Sequence, residues 1–114
     1  MGEMASFSGS RMLDSSLLLL LAERPDHGYS LRNRLEHLGL DIHGEPGALY
    51  RRLHVLERRG LVEHRVDSST NGRKKKVYST TVAGIAELGS WASSLQGTLE
   101  IIQQWLDAHA DLAR

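Results

Sequence analysis

Glu45-Pro46-Gly47-Ala48-Leu49-Tyr50-Arg51-Arg52-Leu53-His54-Val55-Leu56-Glu57-Arg58-Arg59-Gly60 reads as one helix. Pro46 suits the first turn, where its missing N–H is one the helix leaves unpaired anyway, and Gly60 suits the stop. At about 100° per residue, Leu53 and Leu56 fall within about 40° of Leu49. Gly47, Tyr50, Arg51, His54 and Arg58 fall on the far side, at roughly 100° to 200°. One face seeks a core. The other carries cations and hydrogen-bond donors, with Gly47 leaving room for a partner's backbone. That face fits a groove of nucleic acid, and the same pattern describes any solvated amphipathic helix. The flanking sequence has to decide.

On the N-terminal side, residues 1–10 are small and polar and read as a flexible arm. Asp14 or Ser15 can cap a helix running through Leu17–Ala22. That run is apolar on nearly all sides, so it is the central core helix or partly faces a second subunit. Arg24-Pro25-Asp26-His27-Gly28 breaks it. A second helix, Tyr29–Leu38, sets Leu31, Leu35 and Leu38 on one face and stops at Gly39. With the connector 40–44 and the helix 45–59, it makes a helix-turn-helix.

On the C-terminal side the period changes. Leu61–Asp67 alternates as a strand with Val62, His64 and Val66 on one side. Ser68–Gly72 is a turn containing Asn71-Gly72, and Arg73-Lys74-Lys75-Lys76 forms a basic tip leading into a strand, Val77–Thr80. A helix-turn-helix followed by such a hairpin is a winged helix, with the wing over 68–76. Thr80 or Thr81 then caps a last helix reaching about residue 110. Its apolar stripe runs Leu88, Trp91, Leu95, Thr98, Ile102, Trp105, His109 and Leu112, widened by Ala92, Leu99 and Leu106. So long a stripe exceeds what a small core can cover, and two copies packing together would bury it.

The expected fold is mainly α with a small β-hairpin wing (α+β): an arm over 1–10, a winged helix-turn-helix over 11–80 and a C-terminal dimerisation helix over 81–114.

Composition narrows the function. Lys/Arg and Asp/Glu balance at 14 each, but residues 27–78 carry eleven cations against six acids, and the remainder three against eight. A basic middle between acidic ends suits a surface that meets phosphate, since binding responds to local charge within a Debye length. The absence of Cys rules out disulfides and thiolate metal sites and fits a reducing cytoplasm. The six His lie on different elements with no HxxxH pair, so no metal and no cofactor is expected. No nucleophile elbow or phosphate loop is present, which argues against an enzyme. The run Leu17–Ala22 is too short to cross a bilayer, so no membrane partner is expected.

These residues resemble the PadR family of bacterial transcriptional regulators over roughly 13–106. The resemblance is carried by Leu17–Glu23, His27-Gly28-Tyr29-Ser30-Leu31, Pro46–Leu53, Leu56–Val62, the wing Asn71–Tyr78 and Thr81-Val82-Ala83-Gly84. It implies a homodimeric winged-helix repressor whose helix 45–59 enters the major groove of a pseudo-palindromic operator. Departures from the family pattern are Glu45 and Ala48, where hydroxyl residues are common, and Arg51, Val77 and Val82.

Expected DNA contacts are therefore Tyr29, Gly47, Tyr50, Arg51, His54, Arg73, Lys74, Lys75 and Lys76. The expected dimer interface comprises Leu17, Leu88, Trp91, Leu95, Leu99, Ile102, Trp105 and Leu106. Trp91 and Trp105 are candidate contacts for a flat aromatic effector between subunits, although Trp at this spacing also serves as plain interface core. A ligand-sensing regulator that releases DNA on binding such an effector, and a winged helix that binds only protein, are the alternative readings.

Overall fold

The computed structural model describes residues 9–40, 47–68 and 72–114. Among them four helices and three strands follow in the order α1 (Gly9–Glu23), β1 (Asp26–His27), α2 (Gly28–His37), α3 (Ala48–Arg58), β2 (Val62–Ser68), β3 (Lys74–Thr80) and α4 (Val82–Leu112). The strands form one antiparallel sheet in the order β1-β3-β2.

α1 is the core helix. Leu17, Leu18, Leu20 and Leu21 are buried, and of the five leucines only Leu19 is open to solvent, at 45%. The helix begins at Gly9, several residues before the expected start at Asp14 or Ser15. Neither residue caps it. The Asp14 carboxylate receives Arg52 in a two-pronged pair, Nε to Oδ1 and Nη2 to Oδ2, both at 2.7 Å, which ties α1 to α3. This bond raises the Arg52 guanidinium further above its ordinary range. Ser15 Oγ turns back to the Met12 carbonyl at 3.2 Å. Polar residues that cap helices serve inside one when a partner of this kind satisfies them.

Pro25 ends α1, and the two residues after it do more than break the helix. Asp26 pairs with Tyr78 and His27 with Val77, adding a third strand to the hairpin. The Asp26 carboxylate takes the His27 N–H (2.9 Å), Ser30 Oγ (2.7 Å) and Arg34 Nη1 (3.0 Å). Arg34 Nη2 also donates to the Leu20 carbonyl at 2.7 Å. His27 caps α2, its Nδ1 accepting from the Ser30 N–H at 3.4 Å. One carboxylate and one guanidinium thus fix the start of α2 against the end of α1.

α2 buries Leu31 and Leu35, but Leu38 is 48% exposed, against expectation. The helix ends at His37, and Gly39 turns left-handed (φ 99°), so Leu40 packs against the core instead. α3 starts at Ala48 with Gly47 as its cap; Glu45 and Pro46 lie outside the described residues. Leu49, Leu53 and Leu56 are fully buried, as the helical period requires. Gly60 (φ 77°) closes the helix, with the Leu61 N–H returning to the Leu56 carbonyl at 3.0 Å.

β2 and β3 pair from Val62↔Thr80 to Ser68↔Lys74. The second strand therefore begins three residues before the expected Val77, and Lys74, Lys75 and Lys76 sit in the ladder rather than on a loose tip. Tyr78 and Val62 close the core beneath the hairpin. The assembly is a winged helix, α+β as expected.

Thr81 caps α4, accepting from the Gly84 N–H (3.1 Å) while donating to the Gly60 carbonyl (2.7 Å). Gly84 presses on Leu61: a Cβ there would stand 2.3 Å from its carbonyl oxygen. At 31 residues α4 is about 46 Å long. Every residue from Ile101 onward is exposed, so the distal half projects from the body. The extents of 64 × 28 × 21 Å and radius of gyration of 17.0 Å reflect that projection. A compact chain of this size would have roughly 13 Å.

Candidate nucleic-acid interface

α3 shows solvent Tyr50, Arg51, His54 and Arg58 on the side opposite its leucines. By helical angle Arg51 and Arg58 form the outermost line. Tyr50 and His54 tilt toward the wing instead. The Tyr50 ring lies directly against Gly28, where a Cβ would stand 2.5 Å from its Cε1. The first turn of α2 can approach Tyr50 because position 28 has no side chain.

This approach creates an open groove of about 510 Å³ between recognition helix and wing. The start of α2 supplies His27, Gly28 and Tyr29. Tyr50, His54 and Glu57 line the α3 side, and β3 contributes Lys75, Lys76 and Tyr78. The groove offers three phenols, two ammonium groups and the N-terminal turn of a helix, a donor set suited to a phosphate backbone. Burial, the Glu57 carboxylate and Tyr50 together push the Tyr78 phenol above its ordinary range, so it keeps its proton as a donor.

Five of the nine expected contacts thus meet in one place: Tyr29, Tyr50, His54, Lys75 and Lys76. Arg73 and Lys74 stand at the far end of the wing, and the expected turn over 68–72 lies mostly outside the described residues. Gly47 and Arg51 lie at the start of α3. The space that Gly47 leaves is taken by the chain itself, since a Cβ there would meet Arg51 Nη1 at 2.8 Å. Two residues join the surface without having been singled out for it. Arg58 shares the Arg51 line and was visible in the helical period. Glu57 brings an acid into the groove and contacts His64 Nδ1. That pairing joins α3 to β2, and no local spacing reveals it.

The expected interface residues divide differently. Leu17 is fully buried in the chain's own core and has no surface to share; Leu19 holds the exposed position on α1. Leu88, Trp91 and Leu95 are half-buried at the base of α4, where the Arg11 guanidinium lies 5.9 Å from the Trp91 ring centre. Leu99, Ile102, Trp105 and Leu106 are exposed, and Trp105 stacks on His109 (5.5 Å, 4°). Leu88, Trp91, Ala92 and Leu95 also wall an apolar hollow of about 510 Å³ with Met12, Leu19 and Leu38. Trp105 lies fourteen residues further on, about 21 Å along the helix, so the two Trp of one chain do not share a ligand site. No group of side chains suited to a metal occurs among the described residues, and none of their helices is long and apolar enough to cross a membrane.

Comparison with known proteins agrees with this architecture. No curated protein matches the chain. A conserved protein described as a potential transcriptional factor is 32% identical, with a TM-score of 0.78 over 89% of this chain and 90% of its own. A putative transcriptional regulator from Thermoplasma acidophilum is 29% identical (TM-score 0.73; 86% and 93% covered). A PadR family transcriptional regulator from Eggerthella lenta is 26% identical (TM-score 0.74; 92% and 90% covered). The pattern of the transcriptional regulator PadR-like family matches residues 17–90, from the core helix through the wing to the base of α4. That span takes in the groove and every strand around it, and it describes transcription factors rather than enzymes. The chain belongs to the PadR-like family of transcriptional regulators.

Proposed function

We propose that the chain is a sequence-specific DNA-binding regulator, a homodimeric repressor in the cytoplasm that binds a pseudo-palindromic operator. The observation that carries this reading is the continuous surface formed by the outer line of α3 and the Tyr50 groove. α3 enters the major groove with Arg51 foremost, while Tyr29, Tyr50, Lys75 and Lys76 hold the adjoining backbone. Arg73 and Lys74 extend the contact along the wing. The projecting half of α4, with Leu99, Ile102, Trp105 and Leu106 exposed, supports a partner copy packed along it. Two-fold symmetry then sets the recognition helices about one helical turn apart on DNA.

Selection of bound duplexes from a random pool tests this. A two-fold-symmetric consensus is the expected result, and recovery of unrelated sequences at low salt would sink the sequence-specific reading.

The apolar hollow favours a second role, sensing an aromatic effector whose binding releases DNA. Trp91 is the contact in that reading. A panel of flat aromatics should quench the Trp91 emission of a Trp105→Phe variant and weaken its DNA binding together. Quenching without any loss of DNA would remove the regulatory role.

A further inference from the structure

The groove that we assign to the phosphate backbone contains an acid. Glu57 is the only carboxylate among its described lining residues, standing beside Tyr50, His54, Lys75 and Lys76. Left as a bare anion there, it repels the ligand for which the lysines and tyrosines are arranged. Its partner is His64 of β2, whose Nδ1 contacts Glu57 Oε2, with the two side chains 29% and 30% exposed. The imidazole is itself held in place by the Tyr78 ring, 5.6 Å away centre to centre. An imidazole changes charge close to neutral pH. The state of one proton therefore decides whether Glu57 is cancelled or exposed to the backbone.

We propose that the Glu57–His64 pair links DNA binding to protonation, the imidazolium neutralising the groove's acid and pinning the wing to the recognition helix. The proposal rests on the DNA-binding reading of this groove. When His64 is neutral in the free protein, binding DNA draws a proton onto it, so affinity rises as pH falls through the histidine range.

The other titratable groups of the site do not reproduce this behaviour. Lysine and tyrosine side chains as a class change charge well above neutrality, and burial moves Tyr78 further from it. His27 accepts the Ser30 N–H at Nδ1, so a proton on that atom would remove the cap of α2. His54 is exposed on α3 without a carboxylate partner among the described contacts, and its charge adds to the field without cancelling Glu57. Glu63 and Arg65, next to His64 in β2, alternate to the other face of the strand.

The test measures the affinity of a fluorescently labelled random-sequence duplex at fixed ionic strength, near pH 6 and near pH 8. The natural protein should bind about five- to tenfold more tightly at the lower pH, within the roughly hundredfold that one fully linked proton allows over two pH units. Glu57→Gln should bind tightly at both pH values, and His64→Gln weakly at both. His54→Gln should keep most of the ratio. Calorimetry in two buffers of different ionisation enthalpy should show net proton uptake near neutral pH, lost in both Glu57→Gln and His64→Gln. A ratio unchanged in Glu57→Gln, or abolished by His54→Gln, overturns the proposal while leaving DNA binding intact. No binding at either pH by any variant overturns the DNA reading and the linkage with it.

Discussion

The ring of Tyr50 occupies the space that a side chain on Gly28 would need, with Cε1 2.5 Å from the position of that missing Cβ. Tyr50 is 53% exposed, so an added methyl pushes the ring outward rather than breaking the core. Gly28→Ala should therefore cost little stability, within about 1 kcal/mol, while moving the phenol off the groove. DNA affinity should fall about three- to tenfold, with no further fall when Tyr50→Ala is added. Additive losses in that double-mutant cycle, read by anisotropy, would show that the two residues act separately.

The lysines of β3 differ in position along the wing. Lys75 and Lys76 line the groove, whereas Lys74 pairs with Ser68 at the far end. Replacing Lys75 and Lys76 with Ala should lower the slope of log affinity against log salt by about 1 to 2, since each neutralised phosphate contributes about 0.9. Lys74→Ala should change it less. Equal effects would place the backbone along the whole wing.

Asp26 links stability to acid. Burial works to raise its carboxyl pKa, but hydrogen bonds from Ser30, Arg34 and the His27 N–H outweigh it and hold the value below the ordinary carboxylate range. The native state thus binds fewer protons than the unfolded one between that lowered value and about 3.9, the ordinary pKa. The stabilisation is complete above the unfolded value and disappears as pH falls through the folded one. Asp26→Asn should lower the thermal midpoint at neutral pH, and the gap to the natural protein should close on acidification. A gap constant from neutrality down to about pH 2 would mean that the charge is not what matters.

Gly84 is a packing constraint, since a Cβ would meet a backbone oxygen, Leu61 O, at 2.3 Å and Thr80 Cγ2 at 2.6 Å. Unlike Tyr50, neither neighbour is a free side-chain end. Gly84→Ala should cost about 1–3 kcal/mol in urea unfolding. A neutral result would mean that α4 lifts off the body without penalty.

The exposed stripe on α4 gives the dimer its own test. Trp105→Ala combined with Ile102→Ala should lower the mass seen in light scattering toward one chain while leaving the winged helix folded. An unchanged mass would put the partner elsewhere.

Much of this fold was legible because periodicity reports burial. Leu49, Leu53 and Leu56 lie one helical turn apart and are all buried, and of the two threonines expected to open the last helix, Thr80 or Thr81, the second is its cap. What was misread lacked a local signature. Asp14 and Ser15 look like caps, because the same side chains also find partners inside a helix, and only Arg52 across the fold for Asp14 and the Met12 carbonyl for Ser15 tell the roles apart. β1 is two residues long, too short to show alternation. Lysine favours strands weakly, yet pairing with Val66, Asp67 and Ser68 extends β3 back to Lys74. In the groove, the sequence supplied the phenols and cations. It did not supply Glu57 opposite His64, a contact made by the way the wing folds back.

The hydroxyl of Thr81 touches both ends of a joint, the last carbonyl after α3 and the first turn of α4. That side chain acts with the packing of Gly84 on Leu61 to set the angle between the two helices, and the length of α4 magnifies any change in it. A tilt of about 5° at Thr81 carries the far end of a helix about 46 Å long through roughly 4 Å, more than the rise of one base pair. In a dimer held at those far ends, the same tilt would appear as a changed separation between recognition helices. The joint would then act as a ruler, with half-site spacing set far from any residue that touches DNA.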